Sequence, residues 1–214
     1  MGLFKTTAFE YRGYSKISER SYYLAIVGFI LYGLLATYLT TFVSPVKVST
    51  AELICIGCII PIAGCFVAAS DTGIVSFLGY NMIAIPIGYI LGPTLNHYSP
   101  NVVQNAALIT LFITALFGAA GFFYPKLFKS LGGVLFYSLI GLILARILAM
   151  FIPALNFGII DYISAGIFSL YIGYDMYRAS ESSRDYVSAL HVAVSLYLDI
   201  VNLFLSVLSA SSND

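Results

Sequence analysis

The sequence is poor in charged residues and has no tryptophan. Charged side chains make up 9% of its 214 residues, whereas a typical soluble domain carries roughly 25%. Hydrophobic residues make up 60% of the chain, and the mean hydropathy is +0.93. Too little polar surface exists to cover a water-soluble globule, so the composition predicts an all-α, polytopic membrane protein. The formal net charge is zero, which gives no indication of a nucleic-acid partner.

Cysteine is also scarce, and the motifs of common enzymes are missing from the sequence. Cys55, Cys58 and Cys65 fall in one apolar segment, where thiols are poor metal ligands and redox centres, so we predict small packing residues. The sequence contains no HExxH, GxSxG or glycine-rich phosphate motif. The "GYD" at 173–175 does not match the GxGD pattern of intramembrane proteases. We therefore expect no enzymatic activity and no cofactor.

Seven apolar windows in the sequence are each long enough to cross a bilayer, which takes about 20 residues. The breaks between them are too short to contain a soluble domain. The windows are 21–43, 51–69, 72–92, 103–123, 132–152, 158–178 and 189–208. We predict a cytoplasmic N-terminal segment over 1–20, a seven-helix transmembrane domain over 21–208 and a short tail over 209–214.

The positions of lysine and arginine predict how these spans are oriented. With the N-terminus inside, eight basic residues lie on the cytoplasmic side and only Lys47 lies opposite, so the positive-inside rule favours a cytoplasmic N-terminus. The eight are Lys5, Arg12, Lys16, Arg20, Lys126, Lys129, Arg178 and Arg184. A re-entrant segment beside the short "SDTG" break is the alternative, and the charge bias argues against it.

Four ionisable residues lie within the predicted spans, where a charge is costly and marks a candidate site. They are Arg146, Asp161, Asp175 and Asp199. Asp175 and Asp199 each lie twelve residues from their midpoint, residue 187, which falls at the end of a polar loop. Antiparallel helices would place them at similar depth, at most about 18 Å from the cytoplasmic end. Two carboxyl groups that meet there cannot both ionise cheaply and would share a proton. Alternatively, each caps a neighbouring helix or bonds a tyrosine hydroxyl.

The same count places Arg146 and Asp161 at matching depth near the outer face, because their midpoint falls in the "IPALN" turn. We predict a structural ion pair whose arginine extends outward to the interface. The competing interpretation is that Arg146 neutralises the Asp175–Asp199 pair. The depth of Arg146 disfavours it.

Three stretches of the sequence resemble the Bax inhibitor-1 family. "IFSLYIGYDMYR" at 167–178 and "SALHVAVSLYLDIVNLFLSVL" at 188–208 resemble its final two helices, and "IGYILGPTLNHYS" at 87–99 is similar to the third helix of bacterial members. The resemblance implies seven helices with the last one in the centre, and a pH-sensitive calcium leak across the membrane. It implies that Asp175 and Asp199 form a proton-sharing pair near the cytoplasmic side. The compact length, similar to that of bacterial members, indicates the plasma membrane.

The region after the second span departs from the family pattern. Bacterial members similar to this chain carry a basic cluster there, with an arginine that contacts the aspartate pair. Here the region reads "VAASDTGI" and contains Asp71. Arg178, one helical turn from Asp175, is an auxiliary candidate for the local cation. Asp71 is a second auxiliary candidate, whose alternative is a solvated loop acid.

The intramembrane acids and the near absence of soluble segments leave two functions open. The first is a passive Ca²⁺ conduit in which Asp175 and Asp199 sense protons and bind the ion weakly, because Ca²⁺ prefers oxygen ligands and two carboxylates supply few. The direction of gating with pH does not follow from the sequence. The second is a non-conducting regulator that binds a membrane-anchored protease or another membrane partner. An ion-coupled transporter is less favoured, because no inverted repeat is evident. The expected partners are membrane lipid, Ca²⁺ and protons.

Overall fold

The computed structural model describes residues 16–45, 47–151 and 157–211, and the regular structure in these ranges is entirely helical. The described helices are α1 (Glu19–Thr41), α2 (Thr50–Ala68), α3 (Gly73–Leu95), α4 (Pro100–Phe123), α5 (Pro125–Phe151), α6 (Phe157–Glu181) and α7 (Tyr186–Ala210). The predicted all-α architecture is confirmed. Most of the predicted N-terminal segment, the "IPALN" turn and the end of the tail lie outside the described residues.

Six of the described helices are long and apolar enough to cross a membrane. The other helix, α6, has 25 residues and carries Asp161, Asp175 and Arg178. At about 1.5 Å per residue it still exceeds a hydrocarbon core of about 30 Å. Its polar residues therefore lower its hydropathy without making it too short to span.

The connection between α4 and α5 differs from the sequence prediction. The stretch 124–131 was expected to be a loop, but only Tyr124 separates the two helices. Pro125 can begin α5, because proline has no backbone N–H and the first helical turn needs none there. The helix α5 therefore begins seven residues before the predicted fifth window of 132–152.

The three cysteines were predicted to pack between helices, and this prediction is wrong. Cys55, Cys58 and Cys65 are all exposed on the surface of α2. The buried residues of this helix are Gly64 and Ala68, which lie four residues apart and so share one face. The small residues that α2 uses for packing are thus glycine and alanine, and its thiols point away from the other helices.

The last helix is central, as the family resemblance implied. A larger share of α7 is buried than of any other candidate span, and it contacts α1, α3, α4 and α6. The helix α2 faces it across a cavity of about 250 Å³, and α5 faces it across a second cavity. Neighbouring helices therefore surround α7 on most sides.

Small residues let neighbouring helices approach closely. A Cβ atom added at Gly88 on α3 would lie 2.3 Å from the backbone oxygen of Thr37 on α1. A Cβ atom at Gly121 on α4 would lie 2.1 Å from the backbone oxygen of Gly173 on α6. Neither position has room for a side chain, which is typical of helix packing in membranes.

The connections define two ends of the bundle. We call the basic end the one that contains the start of α1, the 69–72 turn, Tyr124 and the 182–185 loop. At this end the Ile17 N–H donates to the Arg184 carbonyl at 2.9 Å. The far end contains the α1–α2 and α3–α4 connections, which together line a surface cavity.

Candidate functional site

Asp175 on α6 and Asp199 on α7 form a buried carboxyl pair. The two residues are 5% and 8% exposed, and their side chains are close enough for a hydrogen bond between them. The hairpin of α6 and α7 turns between Glu181 and Tyr186, which places the two acids at similar depth. Tyr171 lies one turn before Asp175 and within electrostatic range of both carboxyl groups.

One cation accompanies this pair at the basic end. Arg178 Nη1 lies 3.3 Å from Asp175 Oδ1, and the arginine side chain is 56% exposed while that of Asp175 is buried. A long arginine side chain can bury its stem and keep its charged group near water. Two carboxyl groups face one guanidinium here, so a single proton on the pair makes the cluster neutral.

Asp199 Oδ2 points to the same protonation state. This atom is buried, and no hydrogen-bond donor of fixed protonation reaches it from the described residues. A buried carboxylate oxygen without a donor is costly. A protonated carboxyl group can itself donate, and the side chain of Asp175 is the neighbour within reach. One proton shared between the two aspartates would give this oxygen a hydrogen-bond partner.

A small polar cavity reaches the pair from the basic end. Its volume is about 170 Å³. Its lining consists mainly of polar side chains of α6, α7 and the loop between them, namely Asp175, Arg178, Ser182, Ser188, His191, Val192 and Ser195. We call it the inner cavity. Hydroxyl, imidazole and guanidinium groups can hold water there, which gives protons a route to Asp175.

A larger cavity lies on the other side of the pair. Its volume is about 530 Å³, and α5, α6 and α7 surround it. On α7 it extends from Leu198 and Asp199 to Ser209, and the ten residues from Asp199 to Ser209 span about 15 Å. We call it the outer cavity. It connects the carboxyl pair with the far end of the bundle.

The carboxyl pair separates these two cavities. Asp175 lines the inner cavity and Asp199 lines the outer one. Along α7 the inner cavity ends at Ser195 and the outer begins at Leu198, a distance of about 4.5 Å along the helix axis. About one helical turn of protein, with Asp175 on one side and Asp199 on the other, therefore separates the two cavities.

A polar stripe on α7 unites the two cavities. Its members follow one another at intervals of three or four residues and so share one face of the helix. They are Ser188, His191, Ser195, Asp199, Asn202, Ser206 and Ser209. Of these residues, only Asp199 is predicted from the sequence as a site residue. The helical spacing of the others was the signal that would have found them.

The predicted ionic partners Arg146 and Asp161 are in contact at the far end. Arg146 Nη2 lies 2.9 Å from Asp161 Oδ1, with the arginine side chain 46% exposed and the aspartate side chain 4%. The second oxygen of Asp161 accepts a hydrogen bond of 2.5 Å from the Ser209 hydroxyl on α7. Both ionic partners line the outer cavity. Asp199 lines the other end of that cavity, so the arginine pairs with Asp161 at the far end.

Asp71 lies apart from the carboxyl pair. It is exposed in the turn between α2 and α3, and it is not among the described residues that line the inner or the outer cavity. The neighbouring residue Ser70 is held against α7, because its backbone oxygen lies 3.1 Å from His191 Nε2. The turn thus packs on the inner cavity through His191.

The fold and the site together define a class, a polytopic helical membrane protein with a buried carboxyl pair between its central helix and the helix before it. The sequence matches the family described as "Inhibitor of apoptosis-promoting Bax1" over residues 16–213. The chain therefore belongs to the Bax inhibitor-1 family, and the predicted resemblance is confirmed.

Three relatives illustrate the range of this similarity. Bax inhibitor 1 of Schizosaccharomyces pombe is 32% identical over 127 residues, which cover 56% of this chain and 46% of that protein. Protein LIFEGUARD 4 of Arabidopsis thaliana is 32% identical over 142 residues, which cover 63% and 56% respectively. A protein of Helicobacter pylori is 30% identical over 120 residues, which cover 56% and 51%. The chain thus spans about half the length of the curated relatives it matches.

Proposed function

We propose that this protein is a passive, pH-sensitive leak for Ca²⁺ and that protonation of Asp175 and Asp199 controls the flux. The observation that supports the proposal is the position of the pair. A cavity lies on each side of it, Asp175 lines one and Asp199 lines the other, and about one helical turn separates the two. A change of charge or distance at the pair acts on the protein that separates these cavities.

Protonation acts on the pathway in two ways. A shared proton forms a hydrogen bond between α6 and α7 and lowers the negative charge that attracts a cation. Loss of that proton leaves two carboxylates that repel each other or recruit Ca²⁺. Because both the contact and the charge depend on the same proton, the flux depends on pH through this pair.

Weak binding suits this role. Two carboxylates and nearby hydroxyl groups supply fewer oxygens than the six to eight ligands of a tight Ca²⁺ site. Among the described residues no cluster of three or more His, Cys, Asp or Glu side chains forms a metal site. An ion that binds loosely can leave again, which permeation requires. The proposal involves no enzymatic step and no cofactor.

We place the basic end in the cytoplasm and the protein in the plasma membrane. Six described basic residues support this orientation, because they belong to the basic end: Lys16, Arg20, Lys126, Lys129, Arg178 and Arg184. Lys47 belongs to the connection at the far end. By the positive-inside rule, the N-terminus and the inner cavity then face the cytoplasm.

Ca²⁺ flux into dye-loaded liposomes tests the proposal. Purified protein is reconstituted and the flux is measured across a pH series for wild type, Asp175→Asn and Asp199→Asn. We expect pH-dependent flux for wild type and loss of the pH response in both variants, because an amide does not titrate. Glu181→Gln is the matched control, since Glu181 is an exposed acid at the end of α6. A wild-type pH response that survives in Asp199→Asn would sink the proposal.

The flux measurement, together with co-purification, also tests the other candidate function. A regulator that binds a membrane-anchored protease or another membrane partner would show no flux above protein-free liposomes at any pH. It would also co-purify with a defined membrane protein in stoichiometric amount. These two results together would favour the regulator over the leak as the function of this protein.

A further inference from the structure

The far end of the outer cavity carries a charge pair that the Asp175–Asp199 pathway does not use. Arg146 and Asp161 are joined by a 2.9 Å salt bridge, and both line the same cavity as Asp199. An ion that moves between the far end and Asp199 passes this pair. We infer that Arg146, paired with Asp161, is an electrostatic barrier to cations at the far end of the outer cavity. The inference rests on the proposed function for the identity of the permeant ion.

The exposure of the two side chains gives the pair this role. Asp161 is buried, with its two oxygens engaged by Arg146 and by the Ser209 hydroxyl. The arginine is half-exposed and so presents its positive charge at the far-end opening. The guanidinium is the more exposed of the two groups and the carboxylate is buried behind it, so an ion that approaches the exposed side meets the positive charge first.

Polar side chains line part of the outer cavity between this barrier and Asp199, beside apolar ones such as Leu142 and Phe168. Ser164, Asn202 and Ser206 line the outer cavity between the two charged sites, and each carries an oxygen that can accept a hydrogen bond from water or face a cation. An ion that has passed Arg146 therefore finds these oxygen atoms on α6 and α7 before it reaches Asp199.

A charge barrier and a purely structural ion pair predict opposite patterns. If the pair only stabilises the fold, removal of either partner changes the access of cations to the outer cavity in the same direction. If it is a barrier, Arg146→Gln removes the positive charge and admits cations, whereas Asp161→Asn leaves Arg146 without its carboxylate and excludes them more strongly. The sign of the change separates the two roles.

Access of charged reagents to the outer cavity tests the inference without any measurement of Ca²⁺ flux. Cys55, Cys58 and Cys65 are exposed on α2 and are first replaced by alanine. Ser206→Cys then places a single thiol in the outer cavity. The readout is the rate of modification by a trimethylammonium methanethiosulfonate divided by the rate for uncharged methyl methanethiosulfonate, in nanodiscs.

We expect Arg146→Gln to raise this ratio and Asp161→Asn to lower it. One unit charge acting across roughly 10 Å changes the local concentration of a monovalent cation by about two- to fifteen-fold, between the dielectric of water and that of a protein surface. Ser209→Ala is the control, because it removes a hydrogen bond to Asp161 and leaves both charges in place. Its ratio should equal that of the Ser206→Cys background. Melting temperatures confirm that each variant is folded, and Arg146→Leu replaces Arg146→Gln if the latter is not.

The outcomes distinguish this inference from the proposed function. An unchanged ratio, or changes of the same sign in both variants, would overturn the barrier even if Ca²⁺ flux and its pH response are present. Opposite changes in a protein that conducts no Ca²⁺ would uphold the barrier and overturn the leak. If both hold, Arg146→Gln raises Ca²⁺ flux and keeps the pH midpoint of wild type, since the carboxyl pair is untouched.

Discussion

The hydroxyl groups of Thr37 and Tyr197 lie 2.6 Å apart and join α1 to the central helix. Both residues are buried. The Thr37 hydroxyl donates to the Ala84 carbonyl on α3 at 3.1 Å, so its single hydrogen is used there and Tyr197 donates to Thr37. Three helices therefore meet at one hydroxyl group, beside the close contact of Gly88 with the backbone of Thr37.

This arrangement predicts unequal effects of removing the two hydroxyl groups. Tyr197→Phe removes a donor and leaves Thr37 bonded to Ala84, so it should cost about 0.5–1 kcal/mol of unfolding free energy. Thr37→Val leaves the buried Tyr197 hydroxyl without a partner and should cost about 1–3 kcal/mol. Reversible unfolding in mixed detergent measures both values. A larger loss for Tyr197→Phe than for Thr37→Val would contradict the assigned donor direction.

The contact of Gly88 with α1 predicts a second asymmetry. Gly88→Ala would place a Cβ atom 2.3 Å from a backbone oxygen of Thr37, and a backbone atom cannot rotate away as a side chain can. We expect a loss of about 1–3 kcal/mol from overpacking. The control is Gly28→Ala on α1, since a Cβ atom there would meet nothing within 4 Å. It should leave the unfolding free energy within about 0.5 kcal/mol of wild type. Equal losses in the two variants would show that the close approach is not decisive.

Reversal of the far-end charges should restore stability that single changes remove. Arg146→Asp and Asp161→Arg each place like charges together at the 2.9 Å contact. Each should cost on the order of 2 kcal/mol, below the roughly 3–5 kcal/mol of a fully buried pair, because the Arg146 side chain is half-exposed. The double variant recovers the attraction and should unfold at a higher temperature than either single variant. A double variant no more stable than the singles would exclude a direct pairing.

The acid that begins α7 predicts how stability depends on pH. Asp185 lies in the loop at the basic end, and its carboxylate caps α7 by accepting a hydrogen bond from the Ser188 N–H at 2.8 Å. Burial raises the pKa of Asp185. Hydrogen bonds from Ser188, Ser183 and Val187 together lower that pKa by a larger amount, so it lies below its ordinary value. A lowered pKa stabilises the fold above the unfolded-state pKa of about 3.9, and this contribution is lost as the pH falls through the folded-state pKa.

Two substitutions isolate this effect. Asp185→Ala removes the cap and should cost about 1 kcal/mol at neutral pH. Asp185→Asn keeps a capping oxygen that does not titrate. The difference between the melting temperatures of wild type and Asp185→Asn should therefore be constant near neutral pH. Below about pH 4 the melting temperature of wild type should fall relative to that of Asp185→Asn. A difference that stays constant throughout the acid range would show that the carboxylate does not act as the cap.

The depths of the helices and of their charged residues along the membrane normal could largely be predicted from the sequence. The seven windows, the similar depth of Asp175 and Asp199, and the matching depth of Arg146 and Asp161 all follow from residue counts. These counts work because a helix rises about 1.5 Å per residue and short connections force neighbouring helices to be antiparallel. The polar stripe on α7 could also have been read from the spacing of its members.

The tertiary structure decided which face of each helix contacts its neighbours. Cys55 and its two neighbours face outward, Ser209 rather than another donor completes the shell of Asp161, and the polar stripe faces two cavities instead of one continuous channel. Lipid is as apolar as the interior of the bundle, so hydrophobicity does not indicate which face of a helix turns inward. The sequence by itself determined the number of spans and the depth of each charge. Close packing at residues such as Gly88 and Gly121 determined the rotation of the helices, and with it the single turn of protein that separates the two cavities.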